Sequence, residues 1–101
     1  MMDTGLLTEL KPDESHLVGY WLDLGSGVEK DSVWERIEWL ISSRLERISR
    51  NSSGTECLYR DPADGRYWEY TLRASRMRGG GPPSLKIISR EQAEKKYDLP
   101  S

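Results

Sequence analysis

Residues 59–68 read Tyr-Arg-Asp-Pro-Ala-Asp-Gly-Arg-Tyr-Trp, and this stretch decides the fold. Pro62 presets φ for the second position of a type I turn, Asp61 can accept hydrogen bonds from backbone amides, and Gly65 tolerates a positive φ. The flanking runs are therefore predicted to pair as a β-hairpin. With residues 62–65 as the loop, closed by Asp61 and Arg66, Tyr59 falls opposite Trp68 and Cys57 opposite Tyr70. One face then carries Cys57, Tyr59, Trp68, Tyr70 and Leu72. The other carries Glu56, Leu58, Arg60, Tyr67, Glu69 and Thr71, with Leu58 and Tyr67 as outward apolar groups. A slip of one residue would divide the aromatic rings between core and solvent, so this register is preferred.

Upstream, Val33, Trp34, Ile37, Leu40, Ile41, Leu45 and Ile48 fall on one stripe at helical spacing. Ser32 followed by Glu35 forms a capping box that starts this helix, and residues 51–54, Asn-Ser-Ser-Gly, end it. Residues 17–22, Leu-Val-Gly-Tyr-Trp-Leu, are apolar on both alternating faces and read as a central strand, broken by Gly25-Ser26-Gly27. Downstream, the arginines, glycines and prolines of residues 73–83 predict a long loop. Ser84 to Ile88 alternates as a strand with Leu85 and Ile87 inward, and Ser89 with Gln92 caps a short last helix through Tyr97. The order β-α-β-β-β-α predicts an α+β fold: a small antiparallel sheet of about four strands on one long helix, with a short C-terminal helix. Residues 1–101 are read as a single domain, with 1–10 a mobile leader.

The chain of 101 residues has no Phe, four Trp, five Tyr and 36% hydrophobic residues, so a few large rings must carry its core. Charged residues make up 32% and the mean hydropathy is -0.73. No apolar run approaches the roughly 18–20 residues of a membrane-spanning helix, which predicts a soluble protein. One cysteine cannot form an internal disulfide and no signal sequence precedes the first motif, so the expected compartment is the cytoplasm. The net charge of -2 conceals an asymmetry: residues 1–38 hold nine acids and three bases, residues 39–101 eight acids and twelve bases. The N-terminal third is suited to a basic partner.

Catalytic chemistry finds little support. His16 precedes a strand with no nucleophile placed beside it, Cys57 sits on the aromatic face of the hairpin as a small hydrophobe, and one His with one Cys cannot build a zinc site. Asp61 and Asp64 are accounted for as turn-forming acceptors, and Gly79-Gly80-Gly81 is followed by Pro82 and Pro83 where a phosphate cradle would need a helix N-terminus. No enzyme, metal or cofactor is expected. Arg73, Arg76 and Arg78, with Tyr67 and Tyr70, hold the ingredients of a nucleic-acid-binding surface, the alternative reading of function. Trp39 points away from the helical stripe, which suits either coverage by a chain terminus or an interface.

Leu10, Pro12, Glu14, Leu17, Gly19 and Trp21, the Tyr59 to Glu69 motif, and Gly79-Gly80-Gly81-Pro82-Pro83 together resemble the immunity protein 27 family, predicted antidotes encoded beside the toxins of bacterial polymorphic toxin systems. The chain departs from the expected family pattern at Thr71-Leu72-Arg73, in place of Thr-Tyr-Pro, and at Arg78, in place of a histidine. The resemblance implies an antitoxin that binds one cognate toxin domain, plausibly a nuclease, and blocks its active site without chemistry of its own. The motif residues Gly19, Trp21, Asp61, Pro62, Gly65, Trp68, Gly79, Gly80, Gly81 and Pro82 are then expected to hold the fold. Asp23, Glu29, Asp31, Glu35, Glu38, Trp39, Tyr67, Arg73, Arg76 and Arg78 are the expected toxin contacts.

Overall fold

The computed structural model describes residues 8–51, 55–72, 81–97 and 99. Along them run β1 (His16–Val18), β2 (Trp21–Asp23), β3 (Val28–Lys30), α1 (Ser32–Ser43), β4 (Glu46–Arg50), β5 (Glu56–Arg60), β6 (Tyr67–Leu72), β7 (Pro83–Ile88) and α2 (Arg90–Lys96). The fold is α+β as expected, with more strands. Five form an antiparallel sheet in the order β1-β7-β6-β5-β4, and β2 pairs with β3 as a separate two-stranded sheet.

The β5–β6 hairpin takes the expected register, Tyr59 opposite Trp68 and Cys57 opposite Tyr70. The Asp61 amide donates to the Arg66 carbonyl at 2.9 Å and the Gly65 amide to the Asp61 carbonyl at 2.7 Å. The Asp61 carboxylate accepts from the Ala63 amide at 2.9 Å, and Gly65 has φ +79°. Tyr59 and Trp68 join Leu17, Ile37, Leu40 and Leu85 in the principal core beneath α1, with Cys57, Tyr70 and Ile87 packed at its edge.

The opposite face is also covered, which corrects the reading of Leu58 and Tyr67 as outward. Leu58 is fully buried with Ala93 and Tyr97, and Tyr67, Ile48 and Ile88 pack around them. The cover is α2. Its capping box forms as expected, Ser89 Oγ accepting from the Gln92 amide at 3.1 Å and Gln92 Oε1 from the Ser89 amide at 2.9 Å.

Helix α1 departs from expectation at both ends. Its N-cap is Asp31, whose carboxylate accepts from the Trp34 amide at 2.8 Å, one residue before the expected Ser32. It ends at Ser43, because the Arg44 and Leu45 amides both close on the Leu40 carbonyl, at 2.9 and 2.8 Å. Ser42 Oγ, donating to the Glu38 carbonyl at 2.8 Å, competes there with the helical bonds. Residues 46–50 then pair with β5 through a register shift between Arg47 and Ser49. Leu45 and Ile48, three residues apart, fit a helical stripe and this bulged edge strand equally well.

Residues 17–22 are likewise not one central strand. β1 is an edge strand against β7, and the chain leaves the sheet after Gly19, whose amide donates to the Pro83 carbonyl at 2.9 Å. A Cβ on Gly19 would lie 2.9 Å from Trp34 Cβ and 3.1 Å from both Pro83 Cδ and Trp34 Cα. β1, β7 and α1 meet at this glycine. Gly19→Ala is expected to destabilise the protein by ~1–3 kcal/mol through overpacking, measured by denaturant unfolding. A loss under roughly 0.5 kcal/mol would contradict so close an approach.

Of the leader expected over residues 1–10, residues 1–7 lie outside the described residues, whereas residues 8–10 are held. Arg36 donates to the Thr8 and Glu9 carbonyls at 2.9 and 2.8 Å, and bidentately to the Glu14 carboxylate at 2.7 Å. Leu10 is buried in the principal core. The hydrogen bonds from Arg36 lower the Glu14 carboxyl from its ordinary 4.5 to about 2. A depressed acid stabilises the folded state above its unfolded value, so this contribution is lost as pH falls from 4.5 to about 2. Glu14→Gln is expected to cost ~1–3 kcal/mol at neutral pH. It should also flatten the acid limb of the stability-pH profile; an unchanged limb would contradict the assignment.

Candidate functional site

The β2–β3 hairpin and the adjoining first turns of α1 gather the chain's unusual surface features. Leu24 and Gly27 close a two-residue loop through a 2.9 Å backbone bond. Gly25 there has φ +80°, the sign that primed hairpin turns need at their first central position. Every residue from Trp21 to Lys30 is exposed. Among the described residues, the exposed large hydrophobics are Tyr20 at 56%, Trp21 at 41%, Leu22 at 44%, Leu24 at 55% and Val28 at 60%. All five lie on this one arm.

The arm is tied to α1 on one side. Trp21 meets Trp34 edge-on with centroids 4.6 Å apart, Lys30 Nζ lies 5.4 Å from the Trp34 ring, and the Asp31 amide donates to the Tyr20 carbonyl at 3.0 Å. Lys30 also pairs with Glu38 at 3.0 Å. Trp21, Val28, Glu29, Lys30 and Glu35 line a shallow cleft of about 440 Å³ between arm and helix.

The predicted acids meet here with different duties. Asp23 is exposed and accepts from the Gly25 amide at 2.9 Å, while Asp31 caps α1. Glu29 and Glu35 are exposed and make no ion pair among the described residues. The nearby cations are already engaged, Lys30 by Glu38 and Arg36 by Glu14. The face is therefore acidic.

Trp39 does not stand apart on an outer flank. It is half-buried against the principal core with the Arg44 guanidinium 5.2 Å from its ring. A ring this long reaches the core edge from a flank position. Tyr67 is half-buried in the second core and Tyr70 at the edge of the first, on opposite faces of the sheet. They cannot form one stacking platform for bases. Burial pushes the Tyr70 phenol up to about 12, so it stays protonated at neutral pH. Arg73, Arg76, Arg78, Gly79 and Gly80 lie outside the described residues. Gly81 is buried with φ +70° and Pro82 is half-buried.

A second concavity, of about 420 Å³, is lined by Arg60, Arg66 and Arg90 with Tyr67. Each arginine is paired, with Glu46, Asp64 and Glu94 respectively, which largely cancels its charge. His16 is exposed on β1 and Cys57 packs against the core. Among the described residues no group of three or more His, Cys, Asp or Glu is placed to hold a metal ion, and no helix is long and apolar enough to cross a membrane.

Tyr20 and Leu22 fall within residues 17–22, which read as a buried strand, and Leu24 and Val28 flank a Gly-Ser-Gly break with no element assigned to them. The signal that could have found them is Gly25-Ser26, a two-residue turn between short runs.

The described residues thus form a small α+β protein whose arm carries acidic groups and exposed apolar side chains. The sequence model of the Immunity protein 27 family matches residues 23–89, and the chain belongs to that family. The match spans the arm from Asp23 onward, α1, β4, the aromatic hairpin and β7; the Leu10 to Trp21 part of the resemblance lies before it. No curated protein and no solved structure matches the chain.

Proposed function

We propose that this protein is an antitoxin of a polymorphic toxin system that neutralises one cognate toxin domain in the cytoplasm by direct one-to-one binding. It lays its acidic face over a basic nucleic-acid-binding cleft and performs no catalysis. The observation that carries this reading is the charge of Glu29 and Glu35, which make no ion pair among the described residues, beside Asp23 and Asp31, where the described cations Lys30 and Arg36 are already paired. Such a face attracts a phosphate-binding surface from a distance and occupies the positions of phosphates on contact.

The test is co-expression with the toxin encoded beside this gene, scoring growth and recovery of a stable complex. Rescue with a complex supports the reading; lethality despite soluble antidote contradicts it. A salt-dependent gel shift with single-stranded RNA or DNA should show no binding, and a clear shift would favour the nucleic-acid alternative. Glu29→Gln with Glu35→Gln is expected to slow association about 5- to 10-fold at low salt and to weaken its salt dependence, read by stopped flow. An unchanged rate would remove the steering role from this face.

A further inference from the structure

We infer that the β2–β3 arm is the anchor of the complex, and that its apolar strip seats in an apolar groove of the toxin domain rimmed by lysine or arginine. This rests on the antitoxin reading and adds to it the contact surface and the chemistry of its partner. Side chains alternate along a strand, so Tyr20, Leu22 and Leu24 share one face while Trp21 and Asp23 share the other. The Trp21 face packs in part on α1, through the 4.6 Å contact with Trp34 and the Lys30–Glu38 pair, with Trp21 and Val28 still 41% and 60% exposed. On the other face, Leu22 and Leu24 are 44% and 55% exposed.

Charge selects the occupant. Glu29 is the cross-strand partner of Leu22, so the central apolar anchor carries a carboxylate beside it. Asp31 follows at the base of the arm. A symmetric contact between two copies of this chain through this strip would bring two faces of the same negative charge together, which electrostatic repulsion opposes. A groove offering an apolar floor and a cationic rim satisfies both features. Nor is the arm an extension of the main sheet: it is a two-stranded sheet of its own, free to enter a concave surface.

Leu22→Ser with Leu24→Ser tests this by titration calorimetry and surface binding against the purified toxin domain, alongside the unaltered protein. Loss of a central apolar pair should weaken binding by about 100-fold, mostly through faster dissociation, with the melting temperature moved by no more than ~2 °C. Amide exchange on the unaltered complex reads the same surface without any substitution: amides of residues 20–24 should be protected on toxin binding. Unchanged exchange there, or a folded double variant that binds within about 3-fold of the unaltered protein, overturns the arm while leaving the antitoxin reading standing. Failure of the unaltered protein to bind any adjacent toxin overturns both. A dimer of the free protein that the double variant abolishes gives the strip to a second copy and overturns the proposed occupant.

Discussion

Trp68→Ala is expected to destabilise the protein by ~3–5 kcal/mol, the largest effect of any single truncation in the hairpin motif. Trp68 is the largest fully buried side chain and sits in the principal core with Ile37, Leu40 and Leu85, opposite Tyr59 in the register. Its removal leaves a cavity that α1 and the sheet must both collapse to fill. It also deprives the Arg66 guanidinium, 5.1 Å from the ring, of its stacking surface. Arg66 matters to the fold beyond that contact, because it donates to the Glu14 and Lys11 carbonyls at 3.2 Å and so ties the hairpin to the N-terminal segment. Among the described residues, Trp68 Nε1 finds no hydrogen-bond partner in its buried position. Trp68→Phe discards that unsatisfied donor along with some volume, so it should cost distinctly less, ~1–2 kcal/mol. Denaturant unfolding measures both. Since the ring lies under α1 and away from the arm, the folded fraction of either variant should bind toxin normally. A well-folded Trp68→Ala protein that no longer binds would move the binding face onto the hairpin.

Glu69→Ala is expected to cost ~2–4 kcal/mol and to release α2 from the sheet. The Glu69 carboxylate accepts from Tyr97 Oη at 2.8 Å and pairs with Lys96 Nζ at 2.7 Å, while Lys96 also reaches Glu56 at 2.8 Å. Burial pushes the Glu69 carboxyl up, but the hydrogen bonds from Lys96 and Tyr97 outweigh it and leave the group below the ordinary carboxylate range. Its stabilisation is therefore present above the unfolded carboxylate value and is lost on acidification. Alanine leaves the Tyr97 hydroxyl buried without an acceptor, and the second core of Leu58, Ala93 and Tyr97 loses its polar latch. Glu69→Gln retains an acceptor and should cost less. Hydrogen exchange distinguishes this mechanism from general weakening: α2 amides should exchange faster at denaturant concentrations where β5 and β6 stay protected. Uniform acceleration would contradict a local latch.

The parts of the fold legible in the sequence are those set by local chemistry. The Pro62 to Gly65 loop determines its own register, Ser89 with Gln92 determines the start of α2, and the alternation of Leu85 and Ile87 determines the inward face of β7. What stayed hidden depends on contacts distant along the chain. Leu58 and Tyr67 look outward until α2 folds over them. Leu45 and Ile48 fit a helix until β5 offers its edge to residues 46–50. Three-residue strands such as β1, β2 and β3 are too short for alternation to declare a face, so residues 17–22, which span β1 and the start of β2, read as one interior strand. The acids of the candidate site were visible as a charge asymmetry. The apolar strip between them was not, because the same residues serve equally as core until the chain turns at Gly19.

Stoichiometric titration tests inhibition by occupancy most directly. Purified protein is added stepwise to a fixed concentration of the toxin domain encoded beside it, far above their dissociation constant, and residual toxin activity is followed. A linear fall to a sharp end point at one antidote per toxin, with a complex of matching mass, is the predicted result. Full toxin activity in the presence of excess folded protein, or complete inactivation by a small fraction of an equivalent, would contradict it.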